Sequence, residues 1–382
     1  MKEASSQIED FIKTFRTDKR FNSTIVAENI KEEKQAKTAD FPKGLLPYIP
    51  SLVKSMGINE LYQHQAESIK ELLEGKNVVV SCGVASGKSL VYQSVILNQI
   101  IQKPQSRALL LFPTKALAQD QAQKMQSLCN ELCKQNPRIP SIINGIYDGD
   151  TPSEIRGKLR KQANILFTNP DMLHIGILPN HTLWSAYLSR LVYVVIDEVH
   201  IYRGVFGSHM ANVIRRLKRI TNIYGQKPQF IFTSATLANA QELAETLIEE
   251  PVELIDNDGS PQGERHFYIC NPPMVEPSLG IRRSSTMEIS SIAKSFLRTN
   301  LQAILFTGSR RSVELIYRYL VDDKKVADKI RSYRSGYLAL ERRKVEKELR
   351  EGKIGLVIST NALELGIDIG GLDAVFLNGY PG

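Results

Sequence analysis

The run VVVSCGVASGKSLVYQ, Val78 to Gln93, constrains this chain more than any other stretch. A short β-branched run ends in small residues. Gly-Lys-Ser follows, and then an apolar-periodic segment. The pattern predicts a strand, a phosphate loop and a helix. Backbone N–H groups of such a loop wrap a phosphate chain, and the helix adds its positive N-terminal end. Gly83, Ser86 and Gly87 supply small size and backbone freedom. Lys88 is placed to reach the outer phosphates and Ser89 to ligate Mg²⁺. ATP and Mg²⁺ are therefore the expected ligands. In the pattern G-x-x-x-x-G-K-[ST], Cys82 stands where the first glycine belongs.

Other apolar runs repeat the strand signal. ALLLF begins at 108, NILFT at 164, LVYVVID at 191 and QFIFTSA at 229. Runs that are apolar throughout fit strands buried on both faces, and their alternation with helical patterns predicts a parallel sheet. A second α/β pattern carries AILFTG at 303, IGLVIST at 354 and AVFLNG at 374. The expected organisation is a polar N-terminal extension over 1–40 and a first α/β domain over 41–255. A Gly/Pro/Asn/Asp-rich linker over 256–277 and a second, incomplete α/β domain over 278–382 follow.

Net charge is +8, from 49 Lys and Arg against 41 Asp and Glu. The excess suits a phosphate-backbone partner without requiring one. Neither a long apolar run nor a signal-type N-terminus is present, so no membrane segment and a cytoplasmic location are expected. Cys129 and Cys133 share a helical spacing, but no second pair completes a zinc pattern, and the four cysteines read as reduced structural thiols.

VVIDEVH places Asp197 and Glu198 at the carboxyl end of a buried strand, where α/β sheets bind ligands. Asp197 is expected to hold Mg²⁺ and Glu198 to act as general base on the attacking water. Ser234-Ala235-Thr236 follows the next strand.

With these segments in order, the chain resembles superfamily 2 helicases of the DEAD/DEAH-box type, with two RecA-like domains. It resembles most the MrfA/YprA branch of mitomycin-repair, RecQ-like DNA helicases. LYQHQAESI, PTKALAQDQ, YDGDTP, TNPDML, VVIDEVHIYRGVFGSHMANVIRRLKR, FTSATLAN, LFTGSRRSVELI and STNALELGIDIGGLD carry the likeness. The resemblance implies that Gln65 reads adenine and that His200 couples the nucleotide site to Ser234 and Thr236. It implies strand contacts by Pro113, Thr114, Lys115, Thr168, Asn169 and Asp171 in the first domain. In the second it implies contacts by Thr307, Ser309, Arg310, Ser359 and Thr360, with Gly366 and Asp368 reaching ATP. Hydroxyls, amides and loop N–H groups after strands suit phosphate contacts without base readout.

The implied activity is ATP-dependent 3′→5′ movement along single-stranded nucleic acid, DNA before RNA, in DNA repair. The family pattern continues into an arginine motif beyond Gly382. The sequence is therefore expected to be a fragment that binds nucleotide and hydrolyses it poorly. An RNA helicase of the same fold and a non-hydrolysing, ATP-gated strand-binding module are the alternatives. The basic segment Arg203 to Arg219 spreads its cations around a helix, which divides them between strand contact and internal pairing.

Overall fold

The computed structural model describes residues 2–324, 326–334, 337, 339–360 and 371–380. It divides into two compact units. One comprises Met1–Glu32 with Glu264–Gly382, and the other Glu33–Gly263.

The elements used below are numbered in chain order. The unit spanning 33–263 contains α2 (Gln63–Leu73), β2 (Val78–Ser81), α3 (Lys88–Gln102), β3 (Arg107–Leu111) and α4 (Lys115–Gln135). It continues through β4 (Asn144–Ile146), β5 (Ile165–Thr168), β6 (Leu191–Ile196), α5 (Gly204–Ile223), β7 (Gln229–Ser234) and β8 (Glu253–Ile255). Its seven strands run parallel in the order β8-β2-β7-β6-β3-β5-β4. Alternate residues of each strand face opposite sides. Val78 and Val80 pack with α2 and α3, while Val79, Leu109 and Val194 pack with α5. Burial on both faces is why the strands read as unbroken apolar runs. Because every strand points the same way, Cys82, Pro113, Asn169, Asp197 and Ala235 all follow strands at one edge of the sheet.

The other unit contains α1 (Lys2–Thr17), β1 (Ile25–Lys31), β9 (Arg265–Cys270), α6 (Ser285–Phe296), β10 (Ala303–Thr307) and α7 (Arg310–Val321). Then come β11 (Ile330–Tyr333), α8 (Ala339–Arg350), β12 (Leu356–Ser359) and β13 (Ala374–Asn378). Its four-stranded sheet is parallel, in the order β11-β12-β10-β13.

Two segments of polar or loop-type composition carry ordered structure. Within the polar N-terminal stretch, α1 is packed: Phe11 meets Phe296 edge-on at 5.2 Å, and Phe15 meets Tyr268 in the same way at 5.2 Å. Ile8, Phe11 and Phe15 recur at helical spacing and give α1 an apolar face inside a polar composition. The stretch 256–277, expected as a linker, contains the boundary between the units at Gly263–Glu264. Asp256–Gly263 belongs to the unit of the seven-stranded sheet, and β9 pairs antiparallel with β1 from Lys31–Arg265 to Ile25–Cys270. That pairing joins residues far apart in sequence, so local composition gives no sign of it.

Candidate active site

The phosphate loop leaves β2, whose four residues are all buried, and enters α3 at Lys88. Two loop residues adopt left-handed backbone, Ala85 (φ 62°) and Gly87 (φ 76°). A Cβ on Gly87 would stand 2.5 Å from Gln65 Nε2, so glycine is needed there for space as well as for φ. Cys82 is outside the positive-φ residues. Its side chain is buried, and burial pushes the thiol up to about 12. A small neutral side chain therefore fits where the motif expects glycine.

Lys88 Nζ donates to the carbonyls of Cys82 at 2.9 Å and Gly83 at 2.6 Å, so the ammonium lies against the loop. Burial lowers its pKa, and Glu198 and Asp197 oppose that shift. Ser86 Oγ is buried with no hydrogen-bond partner among the described residues. Gln65 Oε1 accepts from the Tyr62 N–H at 2.9 Å, and its Nε2 donates to the Gly87 carbonyl at 3.0 Å. The amide expected to read adenine thus also ties α2 to the phosphate loop.

Asp197 follows β6, and its N–H donates to the Leu111 carbonyl at 3.0 Å. Its carboxylate accepts from Thr233 Oγ1. Burial, reinforced by Glu198, pushes the Asp197 carboxyl up to about 7. Glu198 sits in left-handed backbone at φ 52°, and burial raises its pKa against the pull of Lys88. Strained backbone of this kind persists only where surrounding structure enforces it. His200 Nδ1 is approached by the Ala235 N–H at 3.3 Å, Ser234 Oγ at 3.4 Å and Glu198 Oε2 at 3.4 Å. The link from the acidic box to the strand β7 therefore runs through Ser234 and Ala235, while Thr236 is exposed beyond them.

Lys88, Asp197 and Glu198 form one electrostatic group at the carboxyl ends of β2 and β6, with β7 between those strands. Burial holds both acids above their ordinary pKa values, and Lys88 pulls against that shift. An orphan hydroxyl at Ser86 and the N-terminus of a 15-residue helix face the same loop. These residues fit a nucleoside triphosphate with a divalent cation, which Ser89 and Asp197 could hold.

The desolvated acid gives a stability prediction. The folded-state pKa of Asp197 is raised, so folding takes up a proton. That contribution is complete below the unfolded value of 3.8 and is lost as pH rises through about 7. Asp197→Asn removes the charge and keeps the acceptor for Thr233. It is expected to raise the melting temperature at pH 8 by roughly 3–6 °C, with the gain shrinking toward pH 4. Thermal denaturation at both pH values checks this; a lower melting temperature at pH 8 would show that the carboxylate is needed for the fold.

The expected strand-contact residues fall into distinct environments. Thr114 caps α4, accepting from the Leu117 N–H at 3.3 Å, and Lys115 pairs with Asp150 at 2.7 Å. Thr168 is buried and donates its hydroxyl to the Tyr147 carbonyl at 2.6 Å, so its side chain turns into the protein. Asn169 caps the next turn through the Met172 N–H at 2.8 Å; Asp171 is exposed and Pro113 half-buried. In the other unit, Thr307 accepts from Asn378 Nδ2 at 3.2 Å and Ser309 caps α7 through the Ser312 N–H at 3.1 Å. Arg310 opens α7; Ser359 closes β12 and Thr360 follows it, both buried. Gly366 and Asp368 lie outside the described residues. On α5, Arg215 pairs with Glu249 and Lys218 with Glu250, while Arg219 is exposed.

Sequence reading missed Thr233, His64 and Asp258. Thr233 and His64 each neighbour a motif residue, whereas Asp258 carries no local signal at all.

The DEAD/DEAH box helicase family matches residues 62–243, and the helicase conserved C-terminal domain matches residues 288–382. The ATP-dependent helicase YprA of Bacillus subtilis is 47% identical over 369 residues, covering 96% of this chain and 48% of that protein. The crystal structure of the helicase MrfA bound to DNA and AMPPNP matches with a TM-score of 0.91 at 45% identity. That match covers 98% of this chain and 51% of the other. The chain belongs to the superfamily 2 helicases of the MrfA/YprA type. The ATP-dependent helicase HRQ1 of Saccharomyces cerevisiae is 39% identical over 355 residues, covering 91% of this chain and 33% of that helicase. The chain thus spans about half the length of YprA and a third of HRQ1. The two parallel sheets are the tandem RecA-like domains of this helicase family. No described helix is long and apolar enough to cross a membrane.

Proposed function

We propose that this chain is part of the ATP-driven motor of a DNA helicase that moves 3′→5′ along single-stranded DNA in DNA repair. The observation that carries the ATPase reading is the electrostatic group of Lys88, Asp197 and Glu198 beside a phosphate loop that opens a helix. DNA as the track is supported by the 45% identity to MrfA, whose structure was determined with DNA and AMPPNP.

In this reading the loop amides and the α3 N-terminus receive the phosphates. Lys88 exchanges its bonds to the Cys82 and Gly83 carbonyls for the outer phosphates. Gln65 holds the loop against α2 and pairs with adenine. Ser89 and Asp197 would hold Mg²⁺, which would supply charge neutralisation at the phosphate oxygens. Glu198 accepts the proton of the attacking water; its raised pKa makes it a better base than an exposed carboxylate. His200 relays the state of Glu198 to Ser234 and Ala235. Pro113, Lys115, Asn169 and Asp171, with Ser309 and Arg310 in the second unit, contact the strand through its backbone.

Phosphate release from ATP tests the reading, measured with no nucleic acid, with single-stranded DNA and with single-stranded RNA. DNA is expected to raise turnover by about tenfold or more, because strand binding orders groups that the free enzyme leaves loose. Stimulation by RNA alone would make this an RNA helicase. Tight ATP-dependent strand binding without phosphate release would make it a gated binding module.

A further inference from the structure

His64, Cys82 and Asp258 bring potential metal-ligating atoms within 4.8 Å of one another, beside the phosphate loop. Their hydrogen bonds argue against a metal. His64 Nε2 donates to the Ser86 carbonyl at 3.0 Å, and Nδ1 accepts from the Gly259 N–H at 3.3 Å, so both ring nitrogens are used. Burial lowers the His64 pKa and keeps the ring neutral. The Cys82 thiol, pushed up to about 12, does not ionise. Asp258 Oδ2 accepts from the Gly83 N–H at 3.0 Å, and Oδ1 accepts from the Ser260 N–H at 2.9 Å and Ser260 Oγ at 2.6 Å.

The same atoms form a latch on the loop. Asp258 holds its beginning at Gly83, and His64 holds its end at Ser86. Ser260 fixes the carboxylate, and the Gly259 N–H fixes the imidazole. Gly259 is wedged so closely that a Cβ would stand 2.6 Å from the Lys37 carbonyl and 2.9 Å from the Gln63 nitrogen. The Lys37 N–H donates to the Gly259 carbonyl at 2.9 Å, and Lys34 exchanges backbone hydrogen bonds with Gln262 at 2.8 and 2.9 Å. The latch is therefore built from the two stretches of chain next to the unit boundaries at Glu32–Glu33 and Gly263–Glu264.

We infer that Asp258 is a positioning residue for nucleotide binding: with His64 it holds the arc Gly83–Ser86 in the shape that receives phosphates. The inference rests on the ATP-binding reading above. A loop of small residues with two left-handed positions loses much entropy on ordering. A latch that orders it in advance leaves that cost out of the binding step. By linkage, nucleotide on the loop must in turn tighten the segment 256–263.

The test uses the full chain and MgADP. Asp258→Ala is expected to weaken MgADP binding about tenfold, through loss of the charge-assisted hydrogen bond that holds the Gly83 N–H. Asp258→Asn keeps one oxygen for the Gly83 N–H but sets its NH2 against the Ser260 N–H, so a loss smaller than that of Asp258→Ala is expected. Hydrogen exchange on the unsubstituted chain supplies a readout that needs no variant: MgADP should slow exchange across 256–263. Unchanged affinity in Asp258→Ala, or exchange in 256–263 indifferent to MgADP, overturns the latch while leaving the ATP site standing. An unsubstituted chain that does not bind MgADP overturns the ATP reading itself. If Asp258→Ala fails to fold, the exchange result alone decides.

Discussion

Glu198→Gln is expected to leave ATP binding intact and to lower ATP turnover by about 10²–10⁴-fold, the range lost with a general base. The substitution is a clean probe for structural reasons. Glu198 occupies left-handed backbone at φ 52°, and glutamine carries the same strain there. The amide keeps the length of the side chain and still reaches His200, whose Nδ1 is 3.4 Å from Glu198 Oε2. What it cannot do is accept the proton of an attacking water. Burial raises the Glu198 pKa, and this favours proton uptake over an exposed carboxylate. Equilibrium binding of ATP and single-turnover phosphate release, measured side by side, separate the two effects. If binding is lost instead, Glu198 acts on the cation, and its division of labour with Asp197 must be redrawn.

Lys88→Ala is expected to reduce turnover by at least about a hundredfold, since on the proposed reading it removes the buried charge that meets the developing negative charge of phosphoryl transfer. The lysine is the positive member of the site: its pull lowers the pKa of both Asp197 and Glu198 against burial. Without it both carboxyls shift further up, which weakens the cation site as well as the phosphate site. The loop also loses the ammonium that joins the Cys82 and Gly83 carbonyls. ATP binding and turnover measured on this variant, beside the parent chain with single-stranded DNA, give the comparison. Turnover equal to the parent would reject the phosphate-loop assignment.

The elements most legible in the sequence were those whose environment is uniform. Val78–Ser81, Leu191–Ile196 and Gln229–Ser234 are buried on both faces, so their apolar runs stand out against the polar loops. Asn144–Ile146 and Glu253–Ile255 were harder to see, because each is three residues long and only partly buried. The motif at Cys82–Ser89 announced its chemistry because a phosphate loop needs small residues and a lysine in fixed local order. Thr168 was misleading in this respect: a hydroxyl after a strand looks available, yet the structure spends it on the Tyr147 carbonyl.

The sequence by itself determined a phosphate-loop pattern and two parallel-sheet domains, because those depend on local pattern: burial on both strand faces, and residue order within one loop. The tertiary structure alone decided which distant residues complete the site. Asp258 meets Gly83 across 175 residues, and Gly259 meets His64 across 195. It also decided that the N-terminal helix joins the C-terminal half of the chain, through Phe11 and Phe15 against Phe296 and Tyr268. The physical reason is the same in each case. A hydrogen bond or aromatic contact between remote segments is selected by the packed fold, and composition near either partner carries no trace of the other.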